Sequence, residues 1–460
     1  MNDSLISNKH LFLGPSLALM LFYLMTMNDI ETNASATAAI TLLTAWWWAT
    51  EAIPIPATSL IPFALFPLTG VLNHKVAASG LGSHIILLML GGFLMAKALE
   101  KSGAHQRFAV SILNLVGPRS VKRLVAAFML TAAFLSMWIS NTATCLMLMP
   151  IVLACLQQVN NPKLNLPLII SVAYACSIGG ISTLIGTPPN VIFAGIYEEL
   201  TGNEFGFLDW MTIGVPIVCC LLPICWLWLT RNVSGACTVQ LPEQTPWSKD
   251  EKRVIMIFSL IVFLWVFRSQ PFGGWTGTFN IVGVGDATIA MLGGLLMFVV
   301  RSEKGQGLLD WATAKQIPWG VLLMFAAGIT IAKAFFESGL ADLIGENLTG
   351  VMAGMPLLLI MLLVCLSITF FTELNSNLAT TTLALPILAA AASHNNIAPE
   401  LLMIPATISA SCAFMLPVAT APNAIAYATD KISVKEMMRE GIMLNILFAL
   451  PISGLCYLLL

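Results

Sequence analysis

Two short polar stretches of this chain are near copies of each other, and each interrupts a long apolar run. Residues 140–144 read Ser-Asn-Thr-Ala-Thr, and residues 376–380 read Ser-Asn-Leu-Ala-Thr. Corresponding residues lie 236 positions apart, and Pro150 and Pro386 follow at the same spacing. Each stretch is polar, whereas the residues around it are apolar. Because both the stretch and its apolar surroundings occur twice, the pattern indicates a repeat.

Two further landmarks recur in the same order. The Ala-Lys-Ala triplet around Lys97 returns around Lys333, again 236 positions later. The Thr-Pro-Pro-Asn of residues 187–190 returns as Thr-Ala-Pro-Asn at 420–423, at an offset of 233. Three landmarks in one order predict that the chain is an internal duplication.

Composition places both copies in a membrane. Hydrophobic residues make up 58% of the 460 residues and charged residues only 10%, whereas a soluble domain carries roughly 25% charged residues. The chain is therefore predicted to be an all-α membrane protein that crosses the bilayer several times. Its ten cysteines are scattered without a CxxC pair or metal-ligand spacing, so we expect free thiols.

Eleven apolar runs are long enough to cross a bilayer. They lie near 11–27, 33–50, 54–72, 84–101, 167–197, 207–230, 254–270, 286–300, 316–336, 400–428 and 438–459. We interpret the first as a span rather than a signal peptide, although Ala-Ser-Ala at 34–36 resembles a cleavage site.

Two further runs, at about 124–157 and 355–394, are too long for one crossing, and the Ser-Asn stretches lie at their midpoints. Each half holds only about 15 apolar residues, which is too few to cross. We therefore expect two re-entrant helical hairpins whose polar tips line a protein cavity.

Charge supports this topology. With a cytoplasmic N-terminus and eleven crossings, the inner segments hold 17 of the 21 lysines and arginines, as the positive-inside rule requires. A bacterial-type inner (plasma) membrane is the expected location.

Orientation of the repeats follows from counting. Five crossings separate Lys97 from Lys333, so the second copy is predicted to be upside down, as in secondary transporters. The expected organisation is an extra N-terminal transmembrane helix (1–32), a first inverted repeat (33–230), a cytoplasmic connector (231–253) and a second inverted repeat (254–460).

Hairpin tips offer chemistry for both an anion and a cation. The second half-helix starts with unpaired N–H groups that suit an anion. The first half-helix ends in carbonyls, and Ser, Thr and Asn add oxygens for a hard cation such as Na⁺. The interrupted segments at Gly186 and Ala419 would supply further cation ligands. Helix-packing contacts and simple proline kinks are the alternative reading of one motif, but symmetric recurrence favours function.

Titratable residues add little at the tips. Lys97 and Lys333 are expected to extend to the membrane interface, and the five histidines lie at span edges or in loops. Glu373 lies near a tip, where it would either make a structural hydrogen bond or take part in cation binding or proton coupling. An anion would then depend on bound cations and helix ends. Patterns typical of membrane proteases, hydrolases and P-loop pumps do not occur in the sequence.

At these residues the chain resembles the divalent anion/sodium symporter family. The resemblance rests on Trp-Trp-Ala-Thr-Glu-Ala-Ile-Pro at 47–54 and on the signature around Ser-Cys-Ala-Phe at 411–414, Pro417 and Asn423. It implies an elevator-type homodimer with inverted repeats and two opposed hairpins, which carries dicarboxylates, tricarboxylates or sulfate.

The resemblance also implies site residues. One sodium site would use Ser136, Ser140, Asn141 and Gly186, and its symmetric partner would use Thr372, Ser376, Asn377 and Ala419. Substrate carboxylates would contact Asn141, Thr142, Thr187, Asn377 and Thr420. Leu378 and Ala421 depart from the repeated pattern, and Leu378 removes a hydroxyl from the substrate's second side.

The expected function is Na⁺-coupled symport of C4-dicarboxylates such as succinate, malate and fumarate. Na⁺-independent exchange of carboxylates, and citrate or sulfate as substrate, are open alternatives. An anion channel and an intramembrane enzyme are disfavoured, because the hairpins are duplicated and no catalytic constellation occurs. The expected partners are the dicarboxylate, sodium ions, the lipid bilayer and a second copy of the chain, with no nucleic acid.

Overall fold

The computed structural model describes residues 3–117, 119–159, 161–237, 239 and 246–460. Within these ranges the chain is helical and contains no β-strand, apart from isolated bridges between Ser120 and Ala236 and between Arg301 and Gly307. Part of the predicted connector 231–253 lies outside the described residues. All ten cysteines are free, as predicted.

The helices of the first half follow one another in short steps. In chain order they are α1 (Asp3–Met27), α2 (Thr32–Thr50), α3 (Ile55–Thr58), α4 (Ile61–Thr69), α5 (His74–Ser79), α6 (His84–Ser102), α7 (Ala104–Val116), α8 (Val121–Ser136), α9 (Asn141–Val159), a 3₁₀ turn (Pro162–Leu164), α10 (Asn165–Gly180), α11 (Pro188–Thr201) and α12 (Phe207–Leu229).

The second half repeats much of this order. Its helices are α13 (Lys249–Val266), α14 (Gly274–Thr278), α15 (Asp286–Val299), α16 (Trp311–Ala314), α17 (Trp319–Glu337), α18 (Leu340–Met352), α19 (Leu357–Thr372), α20 (Asn377–His394), α21 (Glu400–Ala410), α22 (Ala421–Tyr427) and α23 (Val434–Leu459).

Seven helical stretches in the described part of the chain are long and apolar enough to cross a membrane, and shorter apolar helices accompany them. This supports the prediction of a multi-pass membrane protein. The predicted span at 54–72 contains two helices, α3 and α4, which are separated at Ser59 and Leu60. Pro62, in the first turn of α4, lacks the N–H that would continue α3.

The predicted interruptions occur at the Ser-Asn stretches. α8 ends at Ser136 and α9 begins at Asn141, and α19 ends at Thr372 and α20 begins at Asn377. These boundaries repeat at the 236-residue offset seen in the sequence. The fifth and tenth runs are also interrupted, at 181–187 and 411–420, where prolines lie in the first turns of α11 and α22.

The two halves are packed across each other. α8 and α9 both pack against α10, and α19 and α20 both pack against α21. In addition α9 contacts α22, and α11 contacts α20. Each paired set of helices therefore rests partly on the interrupted helix of the other half, which brings all four interruptions into one region. The predicted connector (231–253) overlaps the first turn of α13, which begins at Lys249.

Close packing of α6 on α15 provides a test of the helix arrangement. A Cβ atom on Gly91 would lie 2.4 Å from the backbone carbon of Ala290, whereas one on Gly454 in α23 would meet nothing within 4 Å. Gly91→Ala should lower the free energy of unfolding by about 1–3 kcal/mol. Gly454→Ala should leave it unchanged or raise it by up to about 1 kcal/mol. Thermal unfolding in detergent measures both, and equal melting temperatures would contradict this packing.

Candidate functional site

One cavity joins both Ser-Asn stretches and both interrupted helices. Its volume is about 480 Å³. Of the predicted site residues, the following line it: Ser140, Asn141, Thr142, Gly186, Thr187, Asn377, Ala419 and Thr420. Residues from both halves of the chain therefore meet in one place, although at least 190 positions separate those of one half from those of the other.

Three predicted residues do not line the cavity. Ser136 and Thr372 are fully buried at the ends of α8 and α19. Ser376 caps α20, where its Oγ accepts a hydrogen bond from the Ala379 N–H at 3.1 Å. Ser136 and Thr372 contact the cavity lining through Asn141 and Asn377.

Four helices begin at the cavity wall: α9, α11, α20 and α22. Ser140 Oγ accepts from the Ala143 N–H at 3.3 Å, and Thr420 Oγ1 accepts from the Asn423 N–H at 3.2 Å. Other N–H groups of these first turns have no partner within their own helices. The aligned peptide dipoles place partial positive charge here, which favours an anion.

The first oxygen cluster lies beside Gly180. Ser136 Oγ donates a hydrogen bond to Asn141 Oδ1. A Cβ atom on Gly180 would lie 2.8 Å from Asn141 Oδ1 and 3.1 Å from the carbonyl oxygen of Gly186. Glycine thus leaves a small space faced by uncharged oxygens, and such a donor set fits a hard monovalent cation such as Na⁺.

The second cluster repeats the hydroxyl–asparagine pair of the first at the 236-residue offset. Thr372 Oγ1 lies 2.9 Å from Asn377 Oδ1 and 3.2 Å from the carbonyl oxygen of Ala410. Among the described residues no group of three His, Cys, Asp or Glu side chains could hold a metal ion. A cation at either cluster would therefore be held by neutral oxygens.

Two buried asparagines fasten the interrupted segments in the same way. Asn190 Nδ2 donates to the carbonyls of Gly180 at 3.1 Å and Thr183 at 2.7 Å. Asn423 Nδ2 donates to the carbonyls of residues 413 and 416, each at 3.0 Å. All three positions are related by the 233-residue offset. Sequence reasoning used these asparagines as landmarks but missed this role, which depends on folding the break back onto the helix.

Glu373 makes structural hydrogen bonds, one of the roles that the sequence allowed for it. Its buried carboxylate accepts hydrogen bonds from the N–H groups of Phe414 at 2.6 Å, Met415 at 2.9 Å and Leu416 at 3.1 Å. Asn445 Nδ2 donates to the same carboxylate at 2.7 Å. The side chain therefore holds the segment between α21 and α22 and is not directed at the cavity. Sequence alone left this choice open.

The charges of the ionisable side chains that line the cavity cancel. Lys97 and Glu100 both line it, and Lys97 Nζ lies 2.7 Å from Glu100 Oε2. Lys97, which was expected to extend to the membrane interface, lies on the cavity wall and is paired with Glu100. An anion would find no net positive charge on side chains and would depend on helix N-termini and bound cations.

An interrupted-helix cavity of this kind, built into an all-helical membrane protein, is characteristic of a transporter. Solved transporter structures share the fold. The YdaH transporter of Alcanivorax borkumensis matches with a TM-score of 0.60 at 14% identity, covering 91% of this chain and 98% of that one. MtrF of Neisseria gonorrhoeae matches with a TM-score of 0.56 at 13% identity, covering 85% and 83%.

Sequence comparison identifies the family. Residues 45–404 match the family model described as citrate transporter. The protein named sodium-dependent dicarboxylate transporter SdcS of Staphylococcus saprophyticus is 39% identical over 98% of this chain and 90% of the relative. Its namesake in Staphylococcus aureus is 39% identical over 97% and 90%. The chain belongs to this transporter family, so the resemblance seen in the sequence is confirmed, as is the expectation that it is not an enzyme.

The paired asparagines give a prediction. Asn190→Leu and Asn423→Leu keep the side-chain volume but leave buried carbonyls without donors, so each should lower the free energy of unfolding by about 1–3 kcal/mol. Asn203→Leu, on an exposed loop, is the matched control and should have almost no effect. Thermal unfolding in detergent checks this. A melting temperature in Asn190→Leu equal to that of the control would show that the hydrogen bonds contribute nothing.

Proposed function

We propose that this protein is a Na⁺-coupled symporter that imports C4-dicarboxylates such as succinate, malate and fumarate. The observation that carries the proposal is the combination of four helix N-termini and two neutral oxygen clusters at a cavity whose side-chain charges cancel. An anion binds most favourably in this cavity when cations occupy the two oxygen clusters. Relatives named as sodium-dependent dicarboxylate transporters support the same reading.

Asn141 and Asn377 couple the binding of sodium to the binding of the dicarboxylate. Each side-chain oxygen faces its oxygen cluster, where it accepts a hydrogen bond from Ser136 or Thr372. Each amide nitrogen then remains a donor for a substrate carboxylate. Sodium bound at a cluster fixes the rotamer of the asparagine, and this orders the tip before the anion arrives.

Substrate choice depends on the asymmetry of the tips. Thr142 offers a hydroxyl on one side, and Leu378 offers none on the other, although both line the cavity. The second carboxylate would then be bound by backbone N–H groups of α20 and by Thr187 and Thr420. Citrate is the second candidate, because the family model that matches the chain is described as citrate transporter. Carboxylate exchange without sodium is the alternative mechanism.

Architecture and location belong to the same proposal. We assign eleven crossings, two re-entrant hairpins (α8 with α9 and α19 with α20) and inverted repeats that move as an elevator within a homodimer. The N-terminus would be cytoplasmic and the membrane a bacterial-type inner membrane. Support comes from the distribution of lysine and arginine and from the repeated helix boundaries.

Transport can be measured directly. Proteoliposomes containing the full chain should accumulate labelled succinate when an inward Na⁺ gradient is imposed, and should not when K⁺ replaces Na⁺. Uptake that ignores Na⁺ but requires unlabelled dicarboxylate inside would establish exchange instead. Competition by citrate and by malate ranks the substrates, and stronger competition by citrate would favour the second candidate.

The two asparagines provide a separate test of the site. Asn141→Ala and Asn377→Ala should each abolish succinate uptake and remove most of the rise in melting temperature caused by Na⁺. A ligand at a hundred times its Kd stabilises the folded state by about 2.7 kcal/mol, so that rise is measurable in the parent protein. Asn28→Ala, at an exposed position, is the control. Full uptake by both site variants would remove the tips as the binding site.

A further inference from the structure

Two helices that line the cavity are joined to a third helix at their other ends by side-chain contacts. α6 begins at His84 and reaches the cavity near its C-terminus, and α17 begins beside the cavity and ends at Glu337. His84 Nε2 lies 3.2 Å from Glu198 Oε2, and Lys333 Nζ lies 3.1 Å from Glu199 Oε2. Both glutamates belong to the last turn of α11.

α11 links these ion pairs to the cavity. Thr187 and Pro188, where the helix starts, line the cavity. Glu198 and Glu199 follow about 16 Å further along the axis, at 1.5 Å per residue. A helix of 14 residues transmits displacement along its length. Movement of α11 along its axis relative to α6 and α17 would therefore break these contacts.

The lysine of the repeated Ala-Lys-Ala triplet is used differently in the two halves. Lys333 is bonded to another helix, and Ser79 Oγ also lies 2.8 Å from its ammonium group. Lys97 has its ion pair with Glu100 of its own helix, one turn away. Two copies of one residue thus show two states, one bonded across helices and one within a helix.

A carboxylate for Lys97 lies near the position that corresponds to Glu199. The 233-residue offset relates Glu199 to Ile432, and Asp430 lies two residues before it, just after α22. Asp430 is exposed and makes no ion pair within the part of the chain that the structure describes. α22 is the counterpart of α11 in the repeat, so Asp430 lies two residues from the sequence position that corresponds to Glu199.

We propose, building on the transport function proposed above, that Lys333 and Lys97 are alternating positioning residues. In this conformation Lys333 is paired with Glu199. The pair holds α11 against the ends of α6 and α17 that lie away from the cavity. In the opposite conformation Lys333 releases Glu199, and Lys97 leaves Glu100 to bind Asp430. The exchange forms one helix-to-helix pair as another breaks. The Glu100 and Glu199 carboxylates that it releases are 40% and 34% exposed, so water solvates them and leaving them unpaired costs little.

Cysteine labelling tests the exchange without any transport step. Gln316→Cys places a thiol on the cavity wall, and a membrane-impermeant maleimide added on the side to which this cavity opens reports how often it is accessible. Lys333→Met and Glu199→Gln should each slow labelling by about threefold or more, the scale expected for a partly buried ion pair. In the Lys333→Met background, Lys97→Met or Asp430→Asn should restore the rate, and both together should restore no more than either alone.

Controls make each outcome decisive. Lys75→Met and Glu337→Gln change exposed charges that have no ion pair among the described residues, and they should not alter labelling. The parent chain without Gln316→Cys corrects for the exposed Cys219. If single variants fail to fold, the charge-swapped Lys333→Glu/Glu199→Lys protein should still label at the parent rate.

Three results would overturn the proposal. They are unchanged labelling in Lys333→Met, failure of Asp430→Asn to restore labelling, and a charge-swapped protein that labels slowly. Labelling requires neither Na⁺ nor dicarboxylate, so these failures differ from a failure of sodium-coupled uptake.

Discussion

The structure depends on satisfying backbone groups where helices stop inside an apolar environment. Each interruption frees N–H and carbonyl groups that lipid cannot solvate. Asn190 and Asn423 donate hydrogen bonds to the free carbonyls. The Glu373 carboxylate accepts hydrogen bonds from three free N–H groups. The N-termini of α9, α11, α20 and α22 lie at the cavity wall, where the proposed function uses them.

The duplicated halves solve this problem at equivalent positions with different chemistry. In the first half the Thr183 hydroxyl donates to the carbonyl of Met137 at 2.6 Å. In the second half the equivalent positions are Leu416 and Glu373, and the Leu416 N–H donates to the carboxylate at 3.1 Å. The same two places are joined in both halves, so geometry was retained while side chains changed. The buried carboxylate gives the second half a more polar support than the first.

The cavity has few charged side chains, and their charges balance. The cavity contains one lysine and one glutamate, which are bonded to each other. Attraction for a dianion must therefore come from helix N-termini and from cations at the two oxygen clusters. This explains physically why sodium and substrate would bind together. It also places Lys97 where it can respond to movement of the surrounding helices.

The sequence by itself determined the membrane environment, the duplication and the location of the interruptions. These are local properties: apolar length decides what enters a bilayer, and Ser-Asn stretches and prolines decide where a helix stops. Tertiary structure decided which polar groups face the cavity and which support it. Asn190, Glu373 and Lys97 could not be assigned from sequence, because hydrogen bonds between segments tens or hundreds of residues apart depend on how α10, α21 and α6 are oriented against their neighbours.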